Sequence, residues 1–509
     1  MKCPRCRRDN PENAAYCRRC EFDLTTDRDH PRPDDRKTSP VAIAAFVLSL
    51  LSFGLYIFAA IPALMLALFA RANIEREPWR HTGRPLAKKA ILLSIISTLV
   101  LTGALFYLWT LDAPPIPNDY TIADLRSAPP EFNETFELLK SITGDSGESP
   151  GAAAGLTRQD IETIDNLADL LADANEAEIS AVLTENRQFI EQAWSKTENA
   201  RRTIAQLAQF EQIADLTEPG PDVRLISTPT FLHIARLHLV LTYLRREQAH
   251  INAAVSDLVQ FDAIIRKFAI NARPLIVKIV CLMCLRTDIT TANALVNDPS
   301  VSDESLVILA GHFAPLTEDH VSLRNLILFP YLGFKAIVSG QLGARRAPNR
   351  LLFKLNSSLR LLRTHTDYWL SKIEPGAASP PPHLSLWPEI YSFLGPVSID
   401  PDTGRPPLLY RLYNPQGAQI LDVLTPGFKR NYDKFGDRIL NVLVLDDLLQ
   451  IVLSKRLARP FSLKARAYGD NYIIDLENKR IFSPGPDLAP NTEDDISLPI
   501  DPEVLGFDK

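Results

Sequence analysis

The sequence predicts a mainly α protein. It has an N-terminal four-cysteine zinc ribbon, apolar membrane helices, and a large α-helical domain, an array of α-hairpins, ending in a small antiparallel β-hairpin. Three observations predict it. Two C-x2-C knuckles lie within the first twenty residues, two long stretches carry no charge, and from Thr157 onward apolar residues recur at three- and four-residue spacing.

At 509 residues the chain is long for one domain and ample for a sizeable core. Its apolar fraction of 46% and charged fraction of 23% are those of a globular protein. The net charge of −6 is unevenly divided. Residues 1–111 hold 16 Lys+Arg and 10 Asp+Glu, which leaves 39 and 51 for residues 112–509. The basic part surrounds the apolar stretches and suits anionic lipid headgroups. The acidic remainder argues against a nucleic-acid partner.

Residues 1–25 carry Cys3-Pro-Arg-Cys6 and Cys17-Arg-Arg-Cys20. Two such knuckles place four thiolates around one tetrahedral Zn²⁺ and leave no position open for water or substrate. The zinc expected here is structural. Residues 26–40 read as a linker bearing both signs of charge.

The membrane segment spans residues 41–111. Val41–Ala70 and Ala90–Leu111 are free of charge, and the basic connector 71–89 joins them. About twenty apolar residues cross a bilayer as a helix, so each stretch is long enough. Trp79, Tyr107 and Trp109 fall where an aromatic belt is expected. The ribbon precedes the first stretch, which excludes a cleaved signal peptide.

Topology follows from charge. Arg71, Arg76, Arg80, Arg84, Lys88 and Lys89 put the connector in the cytoplasm, as Arg32, Arg36 and Lys37 do the linker. Asp112, Asp119 and Asp124 follow the second stretch before any basic residue, so that side reads as external. Both ends of the first stretch are then cytoplasmic. A kinked or re-entrant segment, bent near Gly54 or Pro62, allows this. The alternative is a two-span hairpin with both soluble parts in the cytoplasm.

The segments MKCPRC, NAAYCRRC, VAIAAFVLSLLSFG and ARANIER make residues 1–111 similar to a bacterial membrane-anchor family of unknown function. There a short zinc ribbon precedes two apolar segments joined by a basic loop. The resemblance implies the bacterial inner (cytoplasmic) membrane; the cytoplasmic place of the ribbon follows from the charges above. That family's second segment is glycine-rich, whereas this one has only Gly103.

Residues 112–156 read as a Pro/Gly-rich spacer: Pro114, Pro115, Pro117, Pro129 and Pro130, a short helical segment, then Gly144–Gly155. Gly144-Asp145-Ser146-Gly147 is read as linker, because no His and Asp partners for a serine nucleophile can be recognised.

The helical domain, 157–375, is expected to hold helices at 157–173, 176–217, 230–270, 273–297, 302–313, 317–341 and 349–373. Cys281 and Cys284 lie within an apolar helical run and read as core rather than as a redox pair. His233 and His238, five apart, fall on different helix faces and are poor co-ligands. His312 and His320, near Glu318 and Asp319, lack metal-motif spacing. No phosphate loop, G-x-S-x-G elbow or H-E-x-x-H occurs.

Residues 376–509 bring a Pro380–Pro382 turn, a loop at Asp400–Pro407, and an apolar helix at Ile439–Leu457. Strands are expected at Phe461–Tyr468 and Asn471–Leu476 about Gly469-Asp470, with Lys479–Phe482 as a third, followed by an acidic loop from Ser483 to Ile496.

That loop, with its G-P-D and T-E-D-D-I segments, resembles the calcium loop of major pseudopilins. The resemblance implies Ca²⁺ at Asp487, Asp494 and Asp495; a solvated turn is the alternative. Leu488 and Asn491 stand where that family has glycines, and no prepilin N-terminus is present. More broadly, PLIVKIVCLMCLRTDI, SDESLVIL and LLYRLYNPQGAQILDVLTPGFKRNY resemble uncharacterised membrane-anchored proteins of planctomycete and verrucomicrobial type, which implies an envelope location.

The expected role is a scaffold or protein-interaction platform, with the lipid bilayer and an unidentified protein as partners. No catalytic constellation supports an enzyme. The alternatives are a hydrolase with a site among the helices and a zinc-responsive membrane sensor.

Overall fold

The computed structural model describes residues 1–25, 37–77, 81–125, 132–143, 154–173, 176–220, 223, 225–248, 250–344, 352–373, 406, 408–424 and 426–507. The 26–36 part of the linker, Gly144–Gly147 and Pro380–Pro382 lie outside the described residues. The chain divides into two units, Met1–Leu111 and Asp112–Lys509.

The first unit opens with two related turns, closed by the bridges Lys2↔Asp9 and Tyr16↔Asp23. Arg7 and Glu21 occupy equivalent left-handed positions after each knuckle, with φ of 61° and 54°. Three apolar helices follow: α1 (Pro40–Leu55), α2 (Ile57–Arg76) and α3 (Arg84–Thr110). Two-residue strands β1 (Lys37–Thr38) and β2 (His81–Thr82) pair in parallel beside them.

The first charge-free stretch is thus two helices. The break is at Tyr56 (φ 50°, ψ −130°), between the expected bend points; Pro62 lies inside α2. Ala42, Ala70 and Ala87 form one layer of the bundle, and Ala45, Ala67 and Ala90 the next. Register rises along α1 and α3 and falls along α2, so α2 is antiparallel to both. Ser52 and Ser97 hydroxyls meet at 2.6 Å, and the Tyr56 hydroxyl lies 3.0 Å from Thr102 Oγ1.

Polarity in this bundle is reversed relative to a soluble core. Its buried residues are small: Ala42, Ala45, Ser49 and Ser52 in α1, Ala87, Ala90, Ser94 and Ser97 in α3. The large residues Val47, Leu50, Phe58, Met65, Leu92 and Leu99 face outward. Small residues let helices approach closely where no hydrophobic drive separates them from their surroundings.

In the second unit the helices are α4 (Phe132–Thr143), α5 (Arg158–Asp173), α6 (Glu176–Lys196), α7 (Glu198–Ala208), α8 (Pro229–Glu247), α9 (Ile251–Asn271), α10 (Leu275–Val296), α11 (Asp303–His312), α12 (Glu318–Val321), α13 (Arg324–Ala344), α14 (Leu355–Ile373), α15 (Leu408–Tyr413), α16 (Pro415–Leu424) and α17 (Pro426–Arg456). The helix α10 is central and packs on α8, α9 and α17. Its turns bury Val277, Cys281, Cys284, Leu285, Ile289, Ala292 and Val296.

Three expected long helices are divided, and the 317–341 run breaks at Ser322 and Leu323 between α12 and α13. The 176–217 run breaks at Thr197, whose hydroxyl donates to Trp194 O (2.8 Å), and leaves the helix after Ala208. Beyond it the chain is held open by side chains of α9. Lys267 Nζ donates to Ala208 O and Phe210 O (2.8 and 2.7 Å), and Asn271 Nδ2 donates to Ile213 O (2.8 Å). The 230–270 run divides after Arg245 and Arg246, cations that suit a helix C-terminus.

Residues 112–125, expected as part of a spacer, lie against the helical array. The Asp112 carboxylate accepts from Asn356 N and Ser357 N (2.8 and 3.0 Å), capping α14 from a distance in sequence. Arg360 donates to Pro114 O and Pro115 O, and Asp119 pairs with Lys335 at 2.7 Å.

The C-terminal sheet has the order β3 (Ile473–Asp475), β4 (Arg480–Ser483), β5 (Ile496–Pro499), all antiparallel, before a one-turn helix α18 (Pro502–Leu505). The tight pair is therefore 473–475 with 480–483. Residues 461–468 join it through one bridge, Lys464↔Asn471, and the third strand comes from the end of the acidic loop.

Candidate metal centre and membrane anchor

The knuckles bring the ribbon sulfurs together. All four Sγ atoms lie within 4.8 Å of one another, with Cys3–Cys20 at 3.5 Å and Cys6–Cys17 at 3.3 Å. A tetrahedron with Zn–S bonds of about 2.3 Å has edges of about 3.8 Å, close to these two separations. The backbone fixes each knuckle reciprocally. Cys3 N donates to Arg8 O and Arg7 N to Cys3 O; Cys17 N donates to Phe22 O and Glu21 N to Cys17 O.

Electrostatics splits the thiols. Burial resists ionisation of Cys17, but hydrogen bonds from the Arg19 and Cys20 amides and from Cys6 and Cys3 outweigh it and bring the thiol to about 6. Burial, together with the neighbouring sulfurs, pushes Cys20 up to about 12. Four packed sulfurs cannot all ionise without a cation among them, which is the condition a metal relieves. Four sulfurs in a tetrahedron suit zinc or iron.

Among the described residues, these cysteines are the set of three or more His, Cys, Asp or Glu side chains placed to hold a metal. The aspartates of the terminal loop are arranged otherwise. Asp494 accepts from Asp487 N (3.1 Å) and Thr492 Oγ1 (2.7 Å). Asp495 accepts from Asn491 N (3.0 Å) and faces Arg480 Nη1 at 3.4 Å. Leu488 and Asn491, at the glycine positions of the resembling family, both adopt positive φ, 59° and 69°.

The histidines separate. His233 Nδ1 lies 3.2 Å from Asp165, while His238 is packed between Trp194 and Phe261. His312 Nε2 lies 3.1 Å from Asp262, and His320 accepts from Thr317 N at the start of α12. Cys281 and Cys284 are buried, and burial raises both thiols, Cys281 to about 12.

A group that the sequence reading missed is a set of buried aspartates, Asp262, Asp288 and Asp446, each wholly enclosed. Asp262 takes Arg266 Nε at 2.6 Å. Burial and the nearby Asp262 charge raise Asp288 well above the usual carboxylate range, and burial raises Asp446 to about 6. Each is a lone acid or acid pair set in an apolar helical run, and that was the available signal. They are sealed from solvent and do not line the cavity of about 220 Å³ between α10 and α17, which is bounded by Ile279, Leu282, Met283, Arg286, Arg438, Asn441 and Val442.

The candidate membrane anchor is the other element. Phe58–Arg76 and Arg84–Thr110 are long and apolar enough to cross a membrane, and α1 is a shorter apolar helix. Residues 41–104 match the profile of a domain family described as a domain of unknown function (DUF4190). The DUF4190 match thus covers α1, α2 and most of α3, the bundle with reversed polarity. No curated protein and no solved structure matches the chain. The DUF4190 segment, the candidate membrane helices and the cysteine cluster together fit a membrane-anchored protein.

Proposed function

We propose that this chain is a zinc-ribbon protein anchored in the bacterial inner membrane, whose large helical domain serves as a protein-interaction scaffold outside the cytoplasm. The observation that carries the reading is the reversed polarity of the α1–α3 bundle, small residues within and large apolar ones without. Such a surface is at home in lipid and is a liability in water.

The orientation draws on the same bundle. Because α1 and α3 run in the same direction, the chain enters beside Lys37 and leaves at Leu111 from the opposite end. The basic residues at the entry end favour the cytoplasm for the ribbon. The complete burial of Asp262, Asp288 and Asp446 supports packing rather than chemistry for those groups.

The test joins two measurements on the full chain. Metal analysis of the purified protein is expected to find one zinc per chain, and alkaline phosphatase fused after Lys509 is expected to be active in cells. An inactive phosphatase with a fluorescent cytosolic fusion would refute the orientation. Recovery in the soluble fraction would refute the anchor.

A further inference from the structure

The α1–α2 hairpin has a depth that can be measured against α3. The Tyr56–Thr102 contact sets the hairpin tip beside Thr102 of α3. The last cation of α3 before its charge-free part is Lys89, and the first charge after it is Asp112. At ~1.5 Å per residue, Lys89 to Thr102 is about 20 Å, and Thr102 to Asp112 about 15 Å more. The whole charge-free length, about 35 Å, matches a hydrocarbon core of about 30 Å with some tilt. The hairpin tip therefore stops well short of the far boundary.

Three further observations agree. The charge-free parts of the two arms, Val41–Leu55 and Ile57–Ala70, are each only about 21–22 Å long as helix, so α2 would make a full span only by drawing Arg71, Glu75 and Arg76 into the hydrocarbon. The reversal uses a single non-helical residue, and the Tyr56 carbonyl still accepts from Ala59 N and Ala60 N (3.1 and 2.8 Å). The turn thus needs no irregular loop, which a site inside lipid would not tolerate. Around the tip the side chains are apolar and outward: Phe53, Leu55 and Phe58, the last 86% exposed. Beyond the tip α3 continues with Leu105, Phe106 and Tyr107 exposed.

We infer that α1 and α2 form a re-entrant hairpin that ends inside the bilayer, and that acyl chains of the far leaflet fill the space under its tip against Phe53, Phe58, Leu105 and Phe106. This rests on the anchor reading and adds that α3 alone crosses. The hairpin acts as a wedge in the lipid, broad on the ribbon side and narrow on the other.

The test places an environment-sensitive fluorescent amino acid at Phe58 in the full chain reconstituted in phosphatidylcholine–phosphatidylglycerol vesicles. A second protein carries it at Phe53, should the first perturb the tip, and a third at the exposed Glu162 of α5 as an aqueous reference. Phospholipids with a mid-chain nitroxide are expected to quench positions 53 and 58 more strongly than those with a nitroxide near the headgroup. Aqueous iodide, on either side, is expected to quench them several-fold less than position 162. Iodide quenching at position 58 equal to that at 162 would mean that the tip emerges in water, and would overturn the inference. Failure of the protein to float with vesicles would instead overturn the anchor reading, and the inference with it.

Discussion

Acidification from pH 7 to pH 5 is expected to weaken the large unit through His238, by an amount that one substitution isolates. The ring stacks on Phe261 at 5.2 Å between centroids and meets Trp194 edge-on at 5.0 Å, and among the described residues its Nε2 has no hydrogen-bond partner. Burial, opposed by Asp257 and reinforced by Arg245 and Arg201, lowers it from 6.5 to about 4. Between those values the unfolded chain binds a proton that the folded chain excludes. The contribution is complete above pH 6.5 and is lost as the pH falls. Linkage gives a loss of about 2 kcal/mol between pH 7 and pH 5. His365, lowered by burial to about 4, adds a loss of the same sign. Asp446, raised to about 6, acts oppositely, since its folded form keeps a proton that the unfolded chain releases. The wild-type profile is thus composite, and a comparison with His238→Phe removes one component only. Urea denaturation of the full chain in detergent, followed by tryptophan fluorescence, gives stability at both pH values. The pH-dependent loss should be smaller in His238→Phe by about 2 kcal/mol. Equal losses in the two proteins would refute the reasoning.

Other perturbations have equally definite outcomes. Cys17→Ser is expected to abolish zinc binding, read by metal analysis, and to leave helical circular dichroism almost unchanged, because the ribbon's own core is only Cys3, Cys17 and Leu24 with a few partly buried neighbours. Ala67→Leu overfills a layer of alanines and should destabilise the bundle by about 1–3 kcal/mol, seen as a lower detergent-melting temperature. Gly485→Ala introduces a Cβ against the Asp494 carbonyl at a φ of 71°, and should cost about 1–3 kcal/mol in stability. Calcium added to the full chain is expected to leave the melting temperature unchanged, since Arg480 already faces Asp495; a saturable rise would show that the loop opens to take the ion.

Much of this structure was legible in the residues, for identifiable reasons. The knuckles were, because C-x2-C spacing is local and permits few arrangements of four sulfurs. The apolar bundle of α1–α3 was legible in outline only. Apolar length announces helices in lipid but does not mark a reversal at Tyr56, a residue with no turn signature. A subtler signal was present. Ala42-x2-Ala45-x3-Ser49-x2-Ser52 recurs as Ala87-x2-Ala90-x3-Ser94-x2-Ser97, and these eight residues are the buried faces of α1 and α3. A repeated small-residue stripe points to two parallel helices, and so to an antiparallel one between them. In the large unit, the break at Thr197 is marked only by its hydroxyl bond to Trp194 O, which apolar periodicity does not read. The open chain after Ala208 is held by Lys267 and Asn271, which local periodicity cannot foresee. The strand β5 was hidden because its four residues follow directly on the Asp-rich turn.

The placement of α10 has a consequence for how the protein is made. This helix is buried on nearly every side, yet its cover arrives late: α17 begins at Pro426, and Asn293 Nδ2 meets its acceptor, Pro499 O, across 206 residues. At synthesis rates of ~5–20 residues per second, α10 waits roughly 10–40 s between leaving the ribosome and meeting that last neighbour. Over that interval a nascent chain presents a sticky rod with no lid, and closing so long a loop is slow. Chaperone dependence, and sensitivity to stalled or truncated translation, should therefore be concentrated in this one helix.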